Sequence, residues 1–312
     1  MSAIQKAYSA ALLYALITGF ALMIVKIALT FATPLDTLAH RFTLSFIAAS
    51  ILILFKKEKV MIKWKDVLAM LPLALLFPTS FFGFQAFGLA YTSSSEAGII
   101  QATVPVFTLL LAAYFLNETS TKLQKAAIIL SVAGVAYLFI MKGLDVTSDS
   151  LKGAVFILFT ALSNAMYNVL ARKAMKQYSV FELTYIMIFV GFLSFNSAAL
   201  IMHQQANTLH TFLMPLTQID FLLAVAYLGI LSSLATALLS NYALATIQAS
   251  QMSVFTNLAT LISIAAGVAI LHEQLHYFHI IGAITIILGV IGTTYKGKET
   301  DVITTHTISK EK

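Results

Sequence analysis

The chain has 312 residues, of which 59% are hydrophobic and 10% charged, and its mean hydropathy is +0.89. That balance excludes a soluble globular domain and marks an integral membrane protein. The net charge of +6 comes from short basic clusters between apolar segments, not from one basic face, so nucleic acid is not an expected partner; the absence of cysteine excludes a disulfide framework, thiol catalysis and cysteine-ligated metals.

Apolar stretches of about 20 residues, enough to cross about 30 Å of hydrocarbon as a helix, recur along the whole chain. Ten are predicted: Tyr8 to Thr30, Leu35 to Phe55, Val67 to Leu89, Glu96 to Leu116, Leu123 to Met141, Gly153 to Ala171, Phe181 to Met202, Phe221 to Ala243, Ser250 to Leu271, and Tyr277 to Tyr295. The first is long enough to span and many similar runs follow it, so it reads as a transmembrane helix and not as a signal peptide. The runs lack the alternation of barrel strands and are about twice their length. Connections are short except for Met202 to Phe221, so neighbouring helices are predicted to pack antiparallel. Of 19 Lys and Arg, 15 fall in loops on the side of the N-terminus, only Lys142 and Lys152 fall on the other, and Lys26 and Arg41 lie within helices. The positive-inside rule then predicts both termini cytoplasmic, and the plasma membrane is the expected location. The polar stretch 297–312 reads as a disordered cytoplasmic tail.

Sliding the chain against itself by 155 residues aligns LAYTSSSEAGIIQATVPVFTLLLAAYFLNE, from Leu89, with LATIQASQMSVFTNLATLISIAAGVAILHE, from Leu244. Ser95 falls on Ser250, Glu118 on Glu273 and Gly134 on Gly289 without a gap. Upstream the shift is near 145, and the long loop HQQANTLHTFLMPLTQ absorbs the difference. The prediction is an all-α membrane protein of ten transmembrane helices, in repeats at 1–145 and 150–296. Because five is odd, the second repeat enters the membrane inverted, which places Glu118 on the cytoplasmic side and Glu273 outside. Two inverted halves meeting at the bilayer midplane are the architecture of secondary transporters.

Five plus five helices, the short loops with Asn117-Glu118 and His272-Glu273, the LAYTSSSEAGII stretch, and AGVAYL and LGVIGT resemble the EamA-type transporters of the drug/metabolite transporter superfamily. The resemblance covers roughly Tyr8 to Tyr295. It implies a multi-pass exporter or importer of small metabolites, often amino acids, with a cavity between the halves and no enzymatic activity. One departure from symmetry is Pro105, whose counterpart is Thr260, so paired broken helices are not expected there.

Buried amides are the candidates for the substrate pathway: Gln85, Gln101, Asn164, Asn168, Asn241 and Asn257, with Asn164 and Asn168 on one helix face. Any single amide is as well explained by an interhelical hydrogen bond. Lys26 either snorkels or faces a cavity. Arg41 either shares a substrate anion with Lys26 or pairs with Asp36. Pro78 and Pro105 are expected to break their helices, and Phe81, Phe82, Phe84, Tyr167 and Tyr242 are candidate cavity walls. Glu118 and Glu273 are candidate gates, or they cap the start of the following helix, and Glu96 is the candidate proton carrier. HEQLH at 272–276 matches the zinc-protease signature, which makes an intramembrane metalloprotease one alternative; a non-transporting membrane sensor is another. The glutamate is accounted for by its repeat partner, and the first half has Asn117 and Thr121 where the histidines stand, so no metal is expected. No Walker motif is present, so neither ATP drive nor a cofactor is expected. The expected partners are a small-molecule substrate and the lipid bilayer, with a homodimer left open.

Overall fold

Helix α1 (Ala3–Ala28) starts at a capping box in which Gln5 N donates to Ser2 Oγ and Ser2 N donates to Gln5 Oε1. In the computed structural model, which describes residues 2–55, 64–115, 121–144, 148–175, 177–247 and 249–294, all regular structure is helical. After α1 come α2 (Pro34–Phe55), α3 (Trp64–Ala74), α4 (Phe81–Tyr91), α5 (Ser94–Gln101), α6 (Val104–Phe115) and α7 (Lys122–Leu144). The rest of the chain forms α8 (Ser148–Ala174), α9 (Val180–Ala206), α10 (Ile219–Ala226), α11 (Thr236–Thr246), α12 (Ala249–Leu271) and α13 (Tyr277–Thr294). A second capping box, Ser179 with Glu182, opens α9, and Asn207 in the left-handed region closes it.

Seven spans among the described residues are long and apolar enough to cross a membrane: α1, α2, Trp64–Tyr91, Ser94–Phe115, Leu151–Ala174, α9 and Ile219–Thr246. Shorter apolar stretches lie at 125–134 in α7, 258–271 in α12 and 277–289 in α13. The outer surface is hydrocarbon, with Leu13, Leu16, Phe20, Ile129, Ile284 and Leu288 exposed, as a surface facing lipid requires.

The two halves match element by element. Helices α1 and α8 start 145 residues apart, and the spans Trp64–Tyr91 and Ile219–Thr246 are offset by 155 at both ends. The starts of α5 and α12, and of α7 and α13, also differ by 155. Packing runs between the halves: α1 lies along α12, α4 along α8, α2 along α9 and α7 along α13. Lipid offers no hydrophobic drive for such pairing, so close contact of small residues must supply it. At the α4–α8 crossing a Cβ on Gly153 would stand 3.0 Å from the Gly88 carbonyl oxygen, and one on Gly88 would stand 2.7 Å from Ile157.

Both third-helix spans are interrupted at matching places. Leu75–Ser80 joins α3 to α4 as a widened turn in which Phe77 is extended, at φ −142° and ψ 116°, just before Pro78. Tyr227–Ala235 is the equivalent widened turn between α10 and α11. Ala102 and Thr103 separate α5 from α6, with Pro105 in the first turn of α6, whereas α12 runs unbroken through Thr260, as the unpaired proline predicted.

Candidate functional site

A polar network crosses the middle of this apolar bundle. The Tyr14 hydroxyl on α1 shares hydrogen bonds with Thr18, with Asn164 on α8 and with Thr256 on α12. On the next turn of α8, Tyr167 donates its hydroxyl to Asn241 Oδ1 on α11, and Asn241 Nδ2 donates to Thr184 Oγ1 on α9 at 2.9 Å. Asn168 is buried one turn beyond Asn164. Phe77, the extended residue of the first widened turn, stacks on Tyr167 with ring centroids 4.5 Å apart. The break in the first half therefore touches the polar network of the second. Gln85 is buried on α4, and Gln101, the last residue of α5, is 4% exposed with an Nε2 that meets no hydrogen-bond partner among the described residues. Of the candidate walls, Phe81 and Phe82 are buried, Phe84 stacks on Phe156, and Tyr242 is exposed.

Charged side chains cap the broken helices. Lys26 neither snorkels nor meets Arg41; its Nζ donates at 2.7 Å to the carbonyl of Leu89, in the last turn of α4. A cation belongs at this end of a helix, where carbonyls lack intrahelical donors and the dipole is negative. Glu273 sits at the complementary end. Its Oε1 accepts from Ser94 N at 2.8 Å and Ser94 Oγ at 2.9 Å, and its Oε2 accepts from Ser95 N at 2.9 Å and Ser95 Oγ at 2.6 Å. The carboxylate thus caps α5 in the first half, not the helix that follows it. Burial pushes the Glu273 carboxyl up, but the four bonds from Ser95 and Ser94 outweigh it and hold the group below its ordinary value. Gly267 makes room for this cap, because a Cβ there would run into Glu273 and both serine hydroxyls. Beside it, Glu96 accepts from Thr92 Oγ1.

The same device recurs at the other end of the bundle. Arg172 on α8 donates to the carbonyl of Ile247, which terminates α11, just as Lys26 serves α4 in the matching half. Glu118, the counterpart of Glu273, lies outside the described residues, as does the 297–312 tail, and the side chain of Asn257 is likewise not described.

Arg41 does not pair with Asp36. Asp36 accepts from Thr33 Oγ1 and from His203 Nε2, each at 2.8 Å, while His40 donates to the Phe212 carbonyl and stacks on the Phe212 ring at 4.5 Å. These contacts fasten the 207–218 connection, with its two short 3-10 turns, to α2. Arg41 instead reaches the widened turn of the second half, donating to Ser233 Oγ at 2.7 Å and Ser232 Oγ at 3.0 Å.

The HEQLH stretch lacks the geometry of a zinc protease. Residues 272–276 form a non-helical connection between α12 and α13, and His272 is left-handed at φ 53°. Two histidines four apart face one metal only on a continuous helix, and Glu273 is engaged by the α5 cap. Among the described residues no group of three or more His, Cys, Asp or Glu converges on a metal-sized site.

Several residues of these networks have no role assigned from the sequence: Tyr14, Thr184, Thr256, the Ser94-Ser95 pair and His203. Ser94-Ser95 had a local signal, the TSSSE run just before an apolar stretch. His203 had none, because its partner Asp36 lies 167 positions away.

A family model described as the EamA-like transporter family matches residues 5–140 and 151–295. The Bacillus subtilis (strain 168) protein named "Uncharacterized transporter YcxC" is 53% identical over 287 residues, covering 92% of each chain. An "Uncharacterized transporter" of Archaeoglobus fulgidus is 24% identical over 277 residues, covering 87% of this chain and 92% of its own. A solved structure titled "Crystal structure of protein" has the same fold at a TM-score of 0.61, with 17% identity over 94% of this chain. Two matched halves with capped breaks at opposite ends of the bundle, and a family match to each half, lead to one conclusion: the chain belongs to the EamA-like transporter family, whose members are transporters and not enzymes.

Proposed function

We propose that the protein is a secondary-active transporter of the plasma membrane that moves a small polar or amphipathic metabolite, such as an amino acid, outward by alternating access. On this reading α7, α12 and α13 span the membrane beside the seven longer spans, both termini are cytoplasmic, and 1–145 and 150–296 form inverted repeats. The substrate pathway runs between the halves past Gln85, Gln101, Asn164, Asn168, Asn241 and Asn257, with Lys26 and Arg41 toward the outer face.

The observation that carries the reading is the paired capping. Lys26 closes the broken third span of one half at one end of the bundle, and Arg172 closes that of the other half at the opposite end. A protein that opens alternately to two sides needs a separable contact at each, and inverted repeats supply two versions of one contact. Glu273, with Glu118 as its counterpart, and Glu96 beside it are the acidic members of these gates.

The test is flux from purified proteoliposomes loaded with amino acids, nucleosides and organic cations, with and without a proton gradient. Selective release of one class, lost in a Gln101→Ala/Asn168→Ala double variant, is expected. Release of nothing under either condition would overturn the reading.

A further inference from the structure

Arg41 is 1% exposed, yet every partner of its guanidinium is neutral. Ser233 Oγ, Ser232 Oγ and the Ser232 carbonyl accept from it at 2.7, 3.0 and 3.2 Å, and the Phe82 ring centre lies 3.9 Å from its central carbon. Among the described residues no carboxylate forms an ion pair with it, because Asp36 is held by Thr33 and His203. A buried charge without a counter-charge is costly wherever it stands in a membrane protein, and its persistence points to a partner. Among the described residues none supplies one.

The second half of the molecule shows that the fold does not require this charge. By the repeat offsets, Arg41 corresponds to Ile186, and Ser232 and Ser233 correspond to Phe77 and Pro78. Ile186 is 1% exposed and shares a hydrophobic cluster with Phe77. The same helix contact is therefore filled by hydrocarbon in one half and by a guanidinium in the other.

A second observation is independent of the charge. Thr37 and Ser45 stand one turn before and one turn after Arg41, on the same face of α2. Both are buried, and neither hydroxyl has a hydrogen-bond partner among the described residues. Thr43, off that face, shows the usual arrangement, donating back to the Ala39 carbonyl at 2.8 Å. Two unused hydroxyls thus bracket an uncompensated guanidinium. Alongside, Phe42, Phe81, Phe82 and Phe195 form an aromatic wall.

We propose that Arg41 docks the carboxylate of the transported solute, a small organic or amino acid with an apolar body. The guanidinium and one of the two hydroxyls, which stand about 12 Å apart along α2 and so cannot both reach one carboxylate, donate to the carboxylate, and the phenylalanine wall receives the body. One cation suits a monoanion, and the planar guanidinium matches the planar carboxylate. The site is sealed in the present state, so the solute enters when α4 and the Tyr227–Ala235 turn part from α2.

This assignment rests on the transporter reading, and one experiment separates the two. Proteoliposomes are loaded with labelled phenylalanine, leucine and N-acetyl-phenylalanine, with the matched amides of each, and with phenethylamine. The wild-type protein is expected to release the acids about tenfold or more faster than their amides, the scale of a lost charge-assisted contact. Arg41→Gln is expected to abolish that preference, with partial recovery in Arg41→Lys. Amides or amine leaving as fast as the acids would overturn the assignment and leave the transporter intact; release of nothing would overturn both. The wild-type comparison stands even if Arg41→Gln fails to fold, and a folded Thr37→Val/Ser45→Ala variant is expected to narrow the acid-over-amide ratio.

Discussion

Glu273 caps α5 through four hydrogen bonds from Ser94 and Ser95, and its charge strengthens each of them. Its place at the end of an apolar run, matched by Glu118, was legible, and so was a capping role. Which helix it caps was not, because the amides it satisfies belong to Ser94 and Ser95, 179 and 178 positions away. Glu273→Gln keeps an acceptor but loses the charge that strengthens four bonds, and is expected to destabilise the protein by about 1 kcal/mol at pH 7, given the partial exposure of the group. The pH dependence follows from the lowered carboxyl. The folded state binds this proton less readily than the unfolded chain, so the stabilisation is complete above the ordinary value of 4.5 and is lost as pH falls below it. Melting temperatures of the wild type and variant in detergent are therefore expected to differ at pH 7 and to begin to converge only as pH falls below 4.5. Gly267→Ala places a methyl group against the cap and is expected to cost about 1–3 kcal/mol in the same assay, the usual range for overpacking; unchanged stability would contradict the cap.

At the scale of the element, seven of the predicted spans are long and apolar enough to cross a membrane among the described residues, because a bilayer fixes the length of what crosses it, while the runs in α7, α12 and α13 give shorter apolar stretches. The interruptions were only half legible. Pro78 announced the Leu75–Ser80 turn, but Tyr227–Ala235 contains no proline, and its ILSSLA stretch reads as ordinary transmembrane sequence. Only the 155-residue offset connects the two turns. The α4–α8 crossing makes a sharper prediction, since the atom facing Gly153 is a backbone oxygen that cannot turn aside. Gly153→Ala is expected to lower stability by about 1–3 kcal/mol, and Gly153→Val by more, since overpacking strain grows with added volume. Thermal unfolding of the two variants in detergent checks the order; equal stability of all three proteins would show that α4 and α8 do not meet this closely.

At the scale of the molecule, the repeat was the most informative feature of the sequence, because it relates positions that no local pattern connects. It did not reveal that each half packs chiefly on the other, or that the polar network draws on α1, α8, α9, α11 and α12 together. The chain contains no cysteine, so a single introduced thiol reports its own position. Met214→Cys, in the 207–218 connection, is expected to react with a membrane-impermeant maleimide in intact cells, and Ser179→Cys only after the membrane is opened. The reverse pattern would invert the topology.

The most direct test of alternating access is the labelling of Gln101→Cys in sealed vesicles of known orientation, with the impermeant reagent added to one side at a time. Alternating access predicts reaction from both sides, with a solute gradient raising the rate from one side as it lowers the rate from the other. Reaction from one side only, unchanged by any transported solute, would contradict a site that two inverted halves expose in turn.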